Sequence, residues 1–355
     1  MTQQTKLQTS PHIHHHQEVP IIMRNVIYAL IPICVYAIYL FGISALALMI
    51  VTTATCLLTE HFFCWVADKP TTLNDYSAII TGLLLSLTLP PGFPLWMGVV
   101  AGFVGIAMAK VLAGGLGHNV FNPALLGRAF VQAAFPTSIA TWSPALAQGR
   151  FLEFIPSTLA WPFMSPAPIA EWSLAVKQPL DAFTGATPLA VQKFEHVSMD
   201  ITNLFLGTTS GSVGETSALL ILICGGYLAM RKMLDWHIVL AVLVGAFVTS
   251  GLFYWADAAR YPSPVFTLFA GGMMLGAVFM ATDMVASPVT PIGVWIYGLF
   301  IGFLTVIIRL FGGLSEGIMY AILLGNALSP LIDLATQPRV YGTTRFPPIK
   351  EKPKL

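Results

Sequence analysis

The run NVIYALIPICVYAIYLFGISALALMIVTTATCLLT, from Asn25 to Thr59, contains no charged residue. A bilayer core about 30 Å thick is crossed by a helix of about 20 residues, so this run is too long for one span. It predicts two helices joined near Phe41-Gly42-Ile43-Ser44. The pattern recurs from Tyr76 to Ala109, where Leu89-Pro90-Pro91-Gly92-Phe93-Pro94 divides an uncharged stretch. Proline removes a backbone donor and disfavours helix in the residue before it. Working outward, spans are expected over 25–41, 44–65, 77–91, 94–112, 119–135, 216–230, 236–255, 262–281, 292–311 and 316–334. The expected fold class is an all-α polytopic membrane protein of about ten transmembrane helices.

Composition supports this. The 355 residues are 56% hydrophobic and 9% charged, against roughly 25% charged in soluble domains. Mean hydropathy is +0.76, which excludes a soluble globular chain. A net charge of +1 leaves no basic footprint for nucleic acid and no acidic partner surface. Cys34, Cys56, Cys64 and Cys224 lie in or beside apolar stretches without CxxC spacing, so they read as small buried residues. His12, His14, His15 and His16 sit in a polar tail without carboxylate or cysteine company and read as solvated. That tail, Met1 to Met23, lacks the short apolar core and small-residue cleavage site of a signal peptide.

Five regions follow: a tail over 1–23, five helices within 24–135, a loop over 136–215, five helices within 216–334 and a tail over 335–355. With both ends cytoplasmic, that side collects Lys6, Arg24, Lys69, Lys110, Arg231, Lys232, Arg339, Arg345, Lys350, Lys352 and Lys354. The other side holds Arg150, Lys177, Lys193, Arg260 and Arg309, and this bias makes the long loop external. Gly114-Gly115-Leu116 followed by Leu125-Leu126-Gly127-Arg128-Ala129 is echoed, at the same internal spacing, by Gly312-Gly313-Leu314 followed by Leu323-Leu324-Gly325-Asn326-Ala327. Because each half has an odd number of helices, the halves are expected as two inverted five-helix repeats, which place a site at their pseudo-two-fold axis.

The external loop carries Asp181-Ala182-Phe183-Thr184-Gly185-Ala186-Thr187-Pro188-Leu189. Gly185 permits a turn and Pro188 pushes Thr187 towards an extended conformation, so the Thr187 hydroxyl is expected on an accessible, strand-like segment open to modification. Asp181 and Thr184 supply an acceptor and a second hydroxyl able to orient a phosphate donor or its metal ion.

This stretch resembles the flavinylation motif Asp-x-x-(Ser/Thr)-Gly-(Ala/Ser)-Thr, in which a flavin transferase moves FMN from FAD onto the last threonine through a phosphoester bond. Ser10-Pro11-His12-Ile13, Asp75-Tyr76-Ser77-Ala78, Gly114-Gly115-Leu116-Gly117-His118-Asn119, Phe121-Asn122-Pro123-Ala124, Ala281-Thr282-Asp283 and Pro330-Leu331-Ile332-Asp333 extend the resemblance to the NqrB/RnfD family along nearly the whole chain. The short N-terminal tail makes it more similar to the RnfD branch than to the quinone-reducing NqrB branch. The resemblance implies a multi-pass subunit of a translocase in the bacterial inner membrane, with no activity alone. It implies covalent FMN on Thr187, with Asp181, Thr184, Gly185 and Ala186 completing the motif, and a second, non-covalent flavin, riboflavin, within the membrane. Its partners would be RnfA, RnfB, RnfC, RnfE and RnfG, and the complex would relay electrons between NADH and ferredoxin coupled to Na⁺ or H⁺ movement.

Other residues carry weaker signals. Arg128, an ionisable group within a span, calls for a carboxylate or a flavin edge, with snorkelling as the bland alternative. Asn119 and Asn122 open the fifth helix, where free amides favour an anionic or polar ligand, although capping alone also accounts for them. Glu60 and Asp75 face the cytoplasmic side as candidates for an ion entrance or as plain interfacial charges. Asp283 stands in a proline-flanked segment whose carbonyls suit a cation or flavin, or simply a solvated turn. No catalytic residue or metal site is expected. The rival reading is a solute channel or secondary transporter, which has no need of a flavin attachment site.

Overall fold

The computed structural model describes residues 18–162, 164, 187–195, 200–207, 209–215, 217–258, 260–313 and 315–338. Within these the chain is helical and has no strand. In chain order the helices are α1 (Val19–Phe41), α2 (Ile43–Val66), α3 (Ser77–Thr88), α4 (Leu95–Val104, continuing as a π-helix over Gly105–Val111), α5 (Pro123–Ala134) and α6 (Pro136–Ile139). They continue as α7 (Pro188–Glu195), α8 (Ile201–Leu206), α9 (Ala218–Met230), α10 (Trp236–Ala256), α11 (Pro264–Phe269), α12 (Met273–Leu275, continuing as a π-helix over Gly276–Met280), α13 (Pro291–Phe311) and α14 (Ile318–Thr336).

Each expected span has a helical counterpart, but the spans are unequal. Among the described residues, only α1, α2, α10, α13 and α14 are long and apolar enough to cross a membrane alone. α3, α5 and α9 are short, and the expected span 262–281 breaks at Ala270-Gly271-Gly272 between α11 and α12. A span can break inside a membrane where other protein groups satisfy the freed backbone. Here the Arg309 guanidinium donates to the carbonyls of Thr267 (2.7 Å) and Ala270 (3.0 Å), placing positive charge at the carbonyl end of α11.

Several helices begin where the sequence supplies a cap. Asn122, Ser217, Asp235, Ser263 and Thr290 each accept from a backbone amide two or three residues on, which satisfies donors a helix start leaves open. Packing then depends on small residues. α10 and α13 meet along Gly245, Gly298 and Gly302, and a Cβ on Gly302 would collide with the Val242 carbonyl oxygen. With no hydrophobic gain from packing helix on helix in lipid, such close approach is what holds them.

The 136–215 segment is not a separate domain where it is described. Leu146 donates to Leu40, Ile43 to Arg150, Ile155 to Ser44 and Leu95 to Thr158, stitching it to the ends of α1, α2 and α4. Further on, Leu189 and Leu204 share a small core with Phe266 and Ala270. The segment therefore covers one face, called here the loop face. The start of α1 and the end of α14 lie on the opposite face, where Ile22 and Asp283 line one cavity and Thr336 bonds Thr290.

Candidate functional site

A cavity of about 100 Å³ lies between the two halves on the face that holds the chain ends. Counting its mouth and the solvent beyond it, about 810 Å³ is free of protein atoms. Both π-helices wall it: Lys110 comes from Gly105–Val111, and Val278 and Phe279 from Gly276–Met280. A π turn holds one residue more than an α turn and occurs often at functional sites. The walls are otherwise mainly apolar, with a few polar groups converging on them.

Three residues singled out from sequence line this cavity: Asn119, Asn122 and Asp283. Asn122 caps α5, its Oδ1 accepting from Ala124 (3.0 Å) and Leu125 (3.4 Å). Asn119 is 5% exposed; its Nδ2 makes a long bond of 3.4 Å to Phe121 O, and its Oδ1 has no partner. A buried acceptor left open costs free energy unless something fills it. Burial pushes the Asp283 carboxyl above its usual range against the bond from the Val285 amide.

Glu60 and Asp75 come together, but around a residue whose sequence signal was only its positive charge. Lys110 Nζ lies 2.6 Å from Glu60 Oε1 and 3.5 Å from Asp75 Oδ2, and donates to Ser77 Oγ at 2.6 Å. Thr72 also donates to Glu60, and Ser77 to Asp75. Lys110 and Ser77 reach the cavity wall; the two carboxylates are not on it. Spacing gave no signal for this clasp, since Glu60 and Lys110 are fifty residues apart.

Arg128 does not line the cavity. It points to carboxylates, one of the two partners its position called for: Glu316 at 2.5 Å and Glu215 at 3.7 Å, all nearly inaccessible. The second contact is too long for a hydrogen bond. Burial and the neighbouring Glu316 therefore outweigh Arg128 and push Glu215 up to about 8. Glu215 and Glu316 were not singled out from sequence; acids just outside an apolar helix were the available signal.

Thr187 differs from its expected presentation. It is 3% exposed rather than accessible, and it precedes α7, with Oγ1 accepting from the Ala190 amide at 3.2 Å. Pro188 sits well at a first helical position, so the local chemistry that suggested an extended segment starts a helix instead. An ester phosphate on this oxygen would lie at a helix N-terminus, where free amides favour an anion. Asp181, Thr184, Gly185 and Ala186 lie outside the described residues. Cys34, Cys56 and Cys224 are buried and Cys64 is half-buried; all four are free thiols.

The sequence matches the NQR2, RnfD, RnfE family over residues 6–342. It is 39% identical over 353 residues to the D subunit of the proton-translocating ferredoxin:NAD(+) oxidoreductase complex of Clostridium ljungdahlii, covering 96% of each chain. It is 39% identical over 351 residues to the D subunit of the Na(+)-translocating ferredoxin:NAD(+) oxidoreductase complex of Acetobacterium woodii, covering 95% of each. The D subunit of the ion-translocating oxidoreductase complex of Halorhodospira halophila is 33% identical over 361 residues, with 96% and 97% covered.

Proposed function

The chain belongs to the NQR2, RnfD, RnfE family, and from that premise we propose that it is the D subunit of an Rnf complex, an ion-translocating ferredoxin:NAD⁺ oxidoreductase. In this reading it carries FMN esterified to Thr187 and a second flavin, riboflavin, in the cavity between the halves. It works with RnfA, RnfB, RnfC, RnfE and RnfG in the inner membrane after a flavin transferase has loaded Thr187. Electrons pass between NADH and ferredoxin, coupled to Na⁺ or H⁺ movement.

The observation that carries the reading is the cavity walled by both π-helices, with apolar sides for a ring system and the unpartnered Asn119 Oδ1 for a ring N–H. A flavin supplies one-electron chemistry of its own, while the protein sets position, potential and water exclusion. Lys110 places a cation at the cavity wall, and its clasp to Glu60 and Ser77 fixes that cation in place. Asn122 keeps the α5 start rigid beside it. On the loop face, the α7 amides favour an anionic ester at Thr187.

The test is in-gel ultraviolet fluorescence of the denatured chain, co-expressed with a flavin transferase, for wild type and Thr187→Ala. Fluorescence in wild type alone is the expected result. Its absence from wild type, with the transferase active on another substrate, overturns the covalent flavin and favours a transporter without one.

A further inference from the structure

Four buried charges meet at the seam between the halves: Arg128 from α5, Glu215 just ahead of α9, Glu316 just ahead of α14 and Arg309 from α13. The side chains of Arg128, Glu215 and Glu316 are 3%, 4% and 6% exposed. Glu316 takes the close contact with Arg128, at 2.5 Å, and leaves Glu215 at 3.7 Å. Arg309 is committed to the α11 carbonyls through both terminal nitrogens. Glu215 is thus a carboxyl without a close cation, and the neighbouring Glu316 repels its ionised form. Two carboxylates that share one site cannot both ionise without a large cost.

Three buried oxygens at this place have no hydrogen-bond partner: Glu215 Oε1, Glu316 Oε1 and Ser212 Oγ, the last fully inaccessible. The Ser212 side chain faces Glu215. Each of these oxygens can accept a hydrogen bond, and acceptors left open at such depth are costly unless a proton reaches them. Backbone closes the site from another side. A Cβ on Gly272, at the break between α11 and α12, would lie 2.9 Å from Glu215 Oε1. Glu215 also walls the small cleft that holds Thr187, so the site borders the loop face.

We propose that Glu215 and Glu316 form an acid–carboxylate pair that binds one exchangeable proton at the seam between the halves. Glu215 carries the proton and donates it in a hydrogen bond to Glu316, whose remaining charge Arg128 balances. A hydrogen bond of this kind, from a hydroxyl to an ionised oxygen, is short and strong. The two carboxyls titrate as a unit; Arg128, Arg309 and Ser212 are the other groups facing them, and Tyr320 in turn faces Arg128. An ester phosphate on Thr187 would add negative charge to the shared cleft and tighten the hold on the proton. That coupling, unlike the pair itself, rests on the reading of Thr187 given above. It is reciprocal, so the bound proton in turn favours the charged ester.

The test is infrared spectroscopy of the full chain in detergent, co-expressed with a flavin transferase and titrated in pH in K⁺ and in Na⁺ buffers. The signal is the C=O band of a protonated carboxyl and its shift in heavy water. Burial also raises the Asp283 carboxyl, so the band is assigned by difference from Glu215→Gln. Expected in wild type is a band that exchanges in heavy water, fades as pH rises through about 8, is missing from Glu215→Gln and is unchanged when Na⁺ replaces K⁺. In Glu316→Gln it should fade at lower pH, since the repelling charge is gone and Arg128 is free to pair with Glu215. No band lost in Glu215→Gln overturns the pair, and fading at the same pH in Glu316→Gln overturns the sharing. A band abolished by Na⁺ at fixed pH also overturns the proposal and makes the site one for a metal cation. In Thr187→Ala the fading should move to lower pH. If it does not, while in-gel fluorescence shows wild type loaded, the coupling to the ester fails and the pair stands; wild type without covalent flavin overturns the Thr187 reading alone.

Discussion

Lys110 is 4% exposed and Glu60 2%, so their ion pair stands where a lone charge is costly. Removing one partner of a buried pair costs about 3–5 kcal/mol, most of it the penalty on the charge left behind. Lys110→Met should therefore lower the thermal midpoint in detergent, and Glu60→Gln added to it should restore most of the loss. Additive losses in the double variant would show that the pair is not coupled. Asn119→Leu should behave differently. Its Oδ1 has no partner, so the fold should hold its thermal midpoint while non-covalent flavin in the purified chain falls; unchanged flavin content would remove Asn119 from the site. Glu215 provides a test in pH. Its folded carboxyl keeps a proton up to about 8, against an ordinary 4.5, so the unfolded chain releases that proton first as pH rises. Stability from this group falls between those two values and is level above them. Glu215→Gln should thus stabilise the protein relative to wild type at pH 8, with the gain vanishing near pH 4.5. A gain independent of pH would refute the shift.

Among the elements, the two π-helices most directly shape the site. Deleting one residue within residues 105–109 should convert that turn to α-helix and leave Lys110 in register, because a π turn only absorbs the extra residue. The Glu60 clasp and the in-gel fluorescence from Thr187 should persist, while the cavity wall loses its bulge and non-covalent flavin falls; unchanged flavin content would show that the π turn has no such role. α5 is fixed against α4 by close backbone approach, since a Cβ on Gly127 would lie 2.5 Å from the Ala101 carbonyl oxygen. Hydrophobic runs and proline breaks made these helices legible in sequence, because they depend on neighbouring residues. The π turns were not legible: nothing in Gly105-Ile106-Ala107-Met108-Ala109-Lys110-Val111 distinguishes them from an α-helix.

For the whole molecule, the expected sidedness can be checked by cysteine labelling. Leu152, 86% exposed on the loop face, should become reactive to an impermeant maleimide from outside spheroplasts as Leu152→Cys, whereas Lys232→Cys on the opposite face should react only after permeabilisation. The reverse pattern would invert the orientation read from the Lys and Arg bias. The ten apolar helical regions, the Asn122 cap, the loop between the halves and the Thr187 motif were all determined by sequence, because composition, short-range hydrogen bonding and motif chemistry act over a few residues. What joined Lys110 to Glu60, turned Arg128 towards Glu316 across 188 positions, buried Thr187 and left a cavity between two π turns was the packing of helices distant along the chain. Each of those contacts depends on which faces meet, and in a chain so uniformly apolar the sequence marks few faces apart from one another.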